Sequence, residues 1–129
     1  MPKSILVVED EPSLCNALCK MLIKANFEVN RATDGREGLD LALKNHPDLI
    51  LLDLMMPVMD GITMLGELKK DKWGKDALVF VLTNSDDVYK ATEAVTAGAY
   101  AYFIKSNWEL SDVVDKIKEK LGVKSEITK

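Results

Sequence analysis

The chain has 129 residues, 47% of them hydrophobic and 29% charged, with a formal charge of −4. Such a length suits one globular domain with a two-sided core, and the acidic balance, without a dominant Lys/Arg cluster, excludes a nucleic-acid binder that works by neutralising phosphates. No apolar run approaches membrane-spanning length and the amino terminus lacks the apolar core of a signal peptide, so the expected setting is cytoplasmic, with no membrane insertion and no direct contact to nucleic acid.

Ser4-Ile-Leu-Val-Val8 is a short aliphatic, β-branched run that reads as a buried strand, and it ends in Glu9-Asp10-Glu11-Pro12. Pro12 suits a first helical turn, and Leu14, Ala17, Leu18, Met21, Leu22 and Ala25 form one apolar helix stripe. Cys15 and Cys19 lie four apart on that helix, with no other cysteine and with His46 as the sole histidine. They are expected to be reduced thiols on the helix flank, with no metal or redox role. Phe27–Ala32 alternates and reads as a less buried edge strand. Asp34-Gly-Arg-Glu37 has the outline of a capping box opening a second helix through about Lys44, which Pro47 blocks.

An all-apolar third strand follows Asp48, and a third helix is expected from near Gly61, carrying Ile62, Met64, Leu65 and Leu68 inward. The polar segment 69–76, with Trp73, reads as a loop, and Ala77–Leu82 as a fourth strand ending at Thr83. Asn84-Ser85-Asp86-Asp87 supplies helix-start chemistry for a fourth helix reaching Gly98, with a thin apolar face of Val88, Ala91 and Val95. Ala99–Ile104 is the fifth strand, ending at Lys105. Ser106-Asn-Trp-Glu109 is a second capping-box match, opening a last helix that buries Leu110, Val113, Val114, Ile117 and Leu121, with 123–129 as a frayed tail. Five βα units without a boundary, repeat or low-complexity segment predict one α/β domain over 1–129, a doubly wound parallel sheet with helices on both faces.

The stretch Asp48-Leu-Ile-Leu-Leu-Asp53-Leu-Met-Met-Pro57-Val-Met-Asp60-Gly61 carries the functional signal. A strand buried on both faces runs directly into a carboxylate, at the carboxyl end of the sheet where open α/β folds place their ligands. Taken alone, Asp53 would also fit a strand or turn cap. In a parallel sheet, however, Glu9, Asp10, Asp53, Thr83 and Lys105 all leave their strands on one edge of the molecule. Three carboxylates held close repel one another unless a cation screens them, and an oxygen-only set with open positions suits Mg²⁺. A lysine and a hydroxyl beside them suit an incoming anion. The implied chemistry is phosphoryl transfer onto a carboxylate.

On these residues the sequence resembles the response-regulator receiver domain of two-component signalling across essentially its whole length. The match comprises Glu9-Asp10-Glu11-Pro12, the Asp53-x-x-Met56-Pro57-x-x-Asp60-Gly61 loop, Thr83, Lys105, and Tyr102 three residues before that lysine. The resemblance implies a flavodoxin-like (βα)5 fold with strand order 2-1-3-4-5. It further implies Asp53 as phosphoacceptor, served by a phosphohistidine on a histidine kinase or a histidine phosphotransfer protein. Asp10 would bind Mg²⁺ directly, Glu9 directly or through water, and Met55 through its backbone carbonyl, with Asp53 completing the set. Lys105 would pair with the phosphoryl group and Thr83 would move toward it. Tyr102 would then turn inward, reshaping the surface of the fourth helix, fifth strand and fifth helix for a downstream protein. A phosphorylation-dependent dimer through that surface is left open. Such a protein is a switch, catalysing only its own phosphorylation and dephosphorylation. The cognate kinase, the output partner and the lifetime of the phosphoryl group are not legible.

Three departures from the family pattern stand out. Asn84 replaces a small residue and either narrows access to Asp53 or caps the helix. Ser106 replaces a proline, so no cis peptide is expected there. Met55 and Ser85 flank the path of attacking water. The methionines at 55, 56 and 59 are read as loop packing, Trp108 as packing at a helix start or a partner contact. A flavodoxin-type electron carrier would need a phosphate cradle where Glu9-Asp10-Glu11 stands, and a haloacid-dehalogenase-type phosphatase would need an acid at Met55. The nearest rival is a receiver fold that serves only as a phosphorylation-independent docking module.

Overall fold

The structure, a computed structural model, describes residues 2–84 and 88–122, with the side chain of Val88 excepted. The expected roles of Ser85, Asp86 and Asp87, the packing of Val88 and the frayed tail at 123–129 therefore lie outside the described residues. Five strands, β1 (Ser4–Val8), β2 (Glu28–Ala32), β3 (Leu49–Leu52), β4 (Val79–Thr83) and β5 (Ala101–Ile104), alternate with α1 (Pro12–Lys24), α2 (Gly35–Asn45), α3 (Gly61–Lys70), α4 (Val88–Thr96) and α5 (Leu110–Leu121). All neighbouring strands pair in parallel in the order β2-β1-β3-β4-β5, as expected.

The period-two geometry of the strands divides the core in two. Ile5, Val7, Leu49, Leu51, Phe80, Leu82 and Phe103 point to the side covered by α1 and α5. Leu6, Val8, Ile50, Leu52, Val79 and Val81 point to the side covered by α2, α3 and α4. Both faces of β1 and β3 are buried, which is why those strands read as unbroken apolar runs. Edge strand β2 buries fully only Ala32.

Two helix starts follow from local chemistry. Asp34 Oδ1 accepts from the Glu37 amide at 2.8 Å and Glu37 Oε1 accepts from the Thr33 amide at 2.8 Å, so the expected capping box is closed one residue upstream of its usual form. Asp60 Oδ1 accepts from the Thr63 amide at 2.8 Å and caps α3. Gly61 is required beside it. A Cβ there would lie 2.5 Å from the carbonyl oxygen of Asp53, and the Gly61 amide donates to Leu54 at 2.9 Å, folding the loop back under the end of β3. Between them Val58 has φ +68°, and the Met59 amide donates across it to Pro57 at 2.7 Å, a γ-turn that β-branched residues rarely adopt.

Several expectations need correction. Cys15 and Cys19 are not on a flank but in the core, 1% and 5% exposed, because α1 turns them rather than Leu14 and Ala17 toward the sheet. Burial first, and then neighbouring Cys15, push the Cys19 thiol up to about 11, so it stays protonated. The inward face of α4 is also displaced: Ala94 is fully buried while Val95 is 59% exposed. Ser106 opens no capping box. It sits inside a 3-10 turn at Lys105–Asn107, and α5 starts after Glu109, which makes no side-chain cap. Among the described residues no peptide bond is cis. The 69–76 loop is partly helical, since α3 runs to Lys70 and Gly74–Asp76 forms a second 3-10 turn. Trp73 stacks on His46, with centroids 4.3 Å apart, tying this turn to the end of α2. Met56 and Met59 pack against the core as expected, but Met55 is 54% exposed. Trp108 packs edge-on against Phe103 at 4.8 Å.

Candidate functional site

The site is built by continuing the sheet one residue past its hydrophobic strands. The Glu9 amide donates to Ala32 at 3.0 Å and the Asp53 amide to Val8 at 3.0 Å, so both residues are still in the ladder when their carboxylates emerge. Each is almost wholly buried, at 3% and 4% exposure. Asp10, the next residue along from Glu9, is exposed, and one oxygen from each of Glu9, Asp10 and Asp53 falls within 4.8 Å of the others. The loss of water around such groups is tolerated only with charge or hydrogen-bond partners.

Lys105 supplies the main one. Its stem crosses from the end of β5 past β4, and its Nζ lies 3.1 Å from Glu9 Oε1 and 3.3 Å from Asp53 Oδ2. The Met55 amide donates to Asp53 Oδ1 at 3.1 Å, and the Glu11 amide to Glu9 Oε2 at 3.1 Å. Both oxygens of both buried carboxylates are therefore engaged. Burial, then the charge of Asp53, push the Glu9 carboxyl up to about 7 against the opposing pull of Lys105. Burial works against the Lys105 ammonium, but Asp53 and then Glu9 outweigh it and hold its pKa above the ordinary lysine value. The cluster is short of positive charge.

Thr83 ends β4 fully buried. Along β4 and β5 it shares its face with Val81 and with Tyr102, which is half-buried against the α4-side core. Asn84, at the mouth, is exposed. The structure thus gathers Glu9, Asp10, Asp53 and Lys105 into direct proximity, brings Met55 to Asp53 by its amide, and places Thr83 and Tyr102 one strand and two strands across from Asp53. Sequence reasoning paired Lys105 with Asp53 and missed that Glu9 is its nearer partner. The signal was there, since Glu9 directly follows a doubly buried strand.

Residues 5–118 match the response regulator receiver domain, and the chain belongs to that family, the receivers of two-component systems. It is 38% identical over 105 residues to the response regulator MprA of Mycolicibacterium vanbaalenii, an alignment covering 81% of this chain and 45% of that protein. The chain spans about half the length of the curated relatives it matches. Among solved structures, a CheY-like response regulator receiver domain protein from Methanospirillum hungatei superposes with a TM-score of 0.87 at 28% identity, covering 95% of each chain. The receiver domain of a sensor histidine kinase from Pseudomonas aeruginosa, solved with a magnesium ion coordinated in its active site cleft, has the same fold at 24% identity, with a TM-score of 0.85 and coverage of 95% and 99%. Among the described residues no helix is long and apolar enough to cross a membrane.

Proposed function

We propose that the chain is a phosphorylation-activated switch in which Asp53 accepts a phosphoryl group from a phosphohistidine of a histidine kinase or phosphotransfer protein. Family membership supports the coarse reading of a signalling module partnered by histidine kinases. The observation that carries the finer one is the buried Asp53 carboxylate at the end of the central strand β3, held at both oxygens by Lys105 and the Met55 amide beside the acids Glu9 and Asp10.

The oxygen-only donor set of Glu9, Asp10 and Asp53, packed within 4.8 Å and under-neutralised, fits a small hard dication. Those three residues and the Met55 carbonyl would hold Mg²⁺, which when bound supplies screening of the carboxylates and of the charge on the transferred group. An Asp53 oxygen forms a bond to phosphorus as the phosphorus–nitrogen bond of the phosphohistidine breaks and the donor's imidazole leaves with the electron pair. Lys105 releases part of its hold on Asp53 and Glu9 and pairs with the arriving phosphoryl oxygens, and the Thr83 hydroxyl donates to the same group. Movement of Thr83 opens space on the face it shares with Tyr102, which turns inward and alters the α4–β5–α5 surface presented to a downstream protein or a second copy. In this reading residues 1–129 hold one cytoplasmic receiver domain that turns over nothing but its own phosphoryl group.

Intact-protein mass after incubation with acetyl phosphate and Mg²⁺ tests it. One phosphoryl group gained by the wild type, and none by Asp53→Asn, is expected. A folded protein that binds Mg²⁺ but gains no phosphate from acetyl phosphate or from a phosphohistidine protein would instead be a docking module.

A further inference from the structure

Lys69, in the last turn of α3, is half-buried and joins three parts of the chain. Its Nζ donates to the Ala77 carbonyl at 2.6 Å and to that of Lys75 at 3.4 Å, in the turn through which the chain enters β4. On the way its stem passes against Gly98, the residue that turns the chain out of α4. A Cβ on Gly98 would lie 2.8 Å from Lys69 Cε and 3.2 Å from Cδ and Cγ, and Gly98 has φ +113°, which a side chain would strain. The root of Lys69 is anchored beside Leu68, fully buried against the sheet. Burial lowers the pKa of its ammonium from the ordinary lysine value, with the charge of Asp76 opposing, so the carbonyl partners decide where the group can sit.

The exit of α4 is tied down on its other side as well. The Ala97, Gly98 and Ala99 amides donate to Glu93, Val95 and Ala94 at 2.8, 3.0 and 2.9 Å, and two residues past Gly98 the Tyr100 amide donates to Val79 of β4 at 2.8 Å. Elsewhere α4 is weakly held, with Ala94 its one fully buried described side chain. We infer that Lys69 clamps the carboxyl end of α4 to α3, so that α4 swings about a pivot at Gly98 while the entry to β5 stays in register. At ~1.5 Å per residue a helix of this length is about 13 Å long, so a tilt of about 10° carries its amino end about 2 Å and leaves the pivot in place. The amino end is the one that follows Thr83 in the chain, and Tyr102 lies two residues past the fixed Tyr100 amide. Thr83 and Tyr102 are thereby joined through a lever with one held end. As part of the switch this rests on Asp53 being the phosphoacceptor; as a clamp it does not.

Amide hydrogen exchange resolved along the chain tests the clamp in wild type, Lys69→Ala, Lys69→Met and Lys69→Arg. Lys69→Ala should speed exchange of the Ala97, Gly98 and Ala99 amides about fourfold relative to α2 and α5, the size expected for one buried methylene group. Lys69→Met, which keeps the stem and loses the bonds to the carbonyls, should fall between, and Lys69→Arg should restore wild-type protection. No selective acceleration at residues 97–99, or the same factor in α2, α4 and α5, would overturn the clamp. Gly98→Ala gives an independent reading, because its methyl group must displace the Lys69 stem only where that stem is present. It should lower the melting temperature by about 3 °C more in wild type than in Lys69→Ala, and equal losses in the two backgrounds would also overturn the clamp. After phosphorylation by acetyl phosphate in Mg²⁺, exchange should change in the first half of α4 and stay as it was at 97–99. A change at 97–99 as large as the one earlier in α4 would remove the pivot. A chain that takes no phosphate on Asp53 would remove the switch, and the Lys69 and Gly98 variants would still decide the clamp.

Discussion

The two halves of the site are anchored very differently. Glu9, Asp10 and Asp53 rise from β1 and β3, whose described side chains are buried on both faces, with α3 pressed beneath through Met64, Leu65 and Leu68, all fully buried. Thr83, Tyr102 and Lys105 rise from β4 and β5, flanked by α4. Among the described side chains of α4 only Ala94 is fully buried, and three of the four residues of β5 are only half-buried. Each large aliphatic side chain removed from water contributes ~1.5–3 kcal/mol and each methyl group less than about 1 kcal/mol, so burial of the described side chains holds α3 more firmly than α4. The acids stand on a fully buried floor, whereas beside Thr83, whose own strand β4 is buried throughout, the weakly packed elements are β5 and the described part of α4. Elements that respond to ligands are drawn from such weakly held regions.

The sharpest way to break this contrast is to hollow out α3. Leu68→Ala should lower unfolding free energy by about 3 kcal/mol in urea titration, because the cavity forms between α3 and a sheet that does not collapse into it. A loss below about 1 kcal/mol would mean that α3 is as loosely held as α4. The second test addresses charge in the floor. Folded Glu9 keeps its proton up to about pH 7, whereas its ordinary value is 4.5, so between those limits the folded state binds the extra proton. Its contribution is therefore present below pH 4.5 and lost as pH rises to 7, with a slope up to about 1.4 kcal/mol per unit. Wild type minus Glu9→Gln, measured by urea unfolding without divalent metal, isolates that slope, and a difference that grows with pH has the wrong sign for the proposal. Mg²⁺ at tenfold excess over its dissociation constant should add about 1.4 kcal/mol and flatten the slope, and an unchanged melting midpoint would argue against a shared metal site. Ala94→Gly in α4 should lower stability by about 1 kcal/mol, from helix propensity and one lost methyl, so its ratio to Leu68→Ala measures the contrast directly.

The fold was legible because β1, β3 and β4 are buried on both faces, and such strands announce themselves as unbroken aliphatic runs ending in a polar residue. The same feature made Glu9, Asp53 and Thr83 legible, since each stands where such a run stops. What escaped the sequence depends on rotation or on partners distant in the chain. Cys15 and Cys19 were misplaced because Leu14-Cys15 and Leu18-Cys19 offer two adjacent stripes, and only the packing of α1 against α5 and the sheet selects between them. Ser106-Asn-Trp-Glu109 has the composition of a capping box, but the chain turns in a 3-10 step directly after Lys105, so the helix begins past its reach. The Glu9–Lys105 pair joins opposite ends of the sequence.

The smallest predicted effect separates two rotational settings of α4. The sequence stripe of Val88, Ala91 and Val95 would turn Val95 inward, whereas the structure turns Ala94 inward and leaves Val95 59% exposed. Valine and serine differ little in helix propensity, so in the observed setting Val95→Ser removes little buried apolar area and should change stability by less than about 0.5 kcal/mol. With Val95 packed, the same substitution would bury a hydroxyl and open a cavity, lowering stability by more than about 1 kcal/mol. Urea midpoints of Val95→Ser, compared with those of Ala94→Gly, decide which setting holds. A larger loss at 95 than at 94 would mean that α4 is rolled by roughly one residue, about 100°.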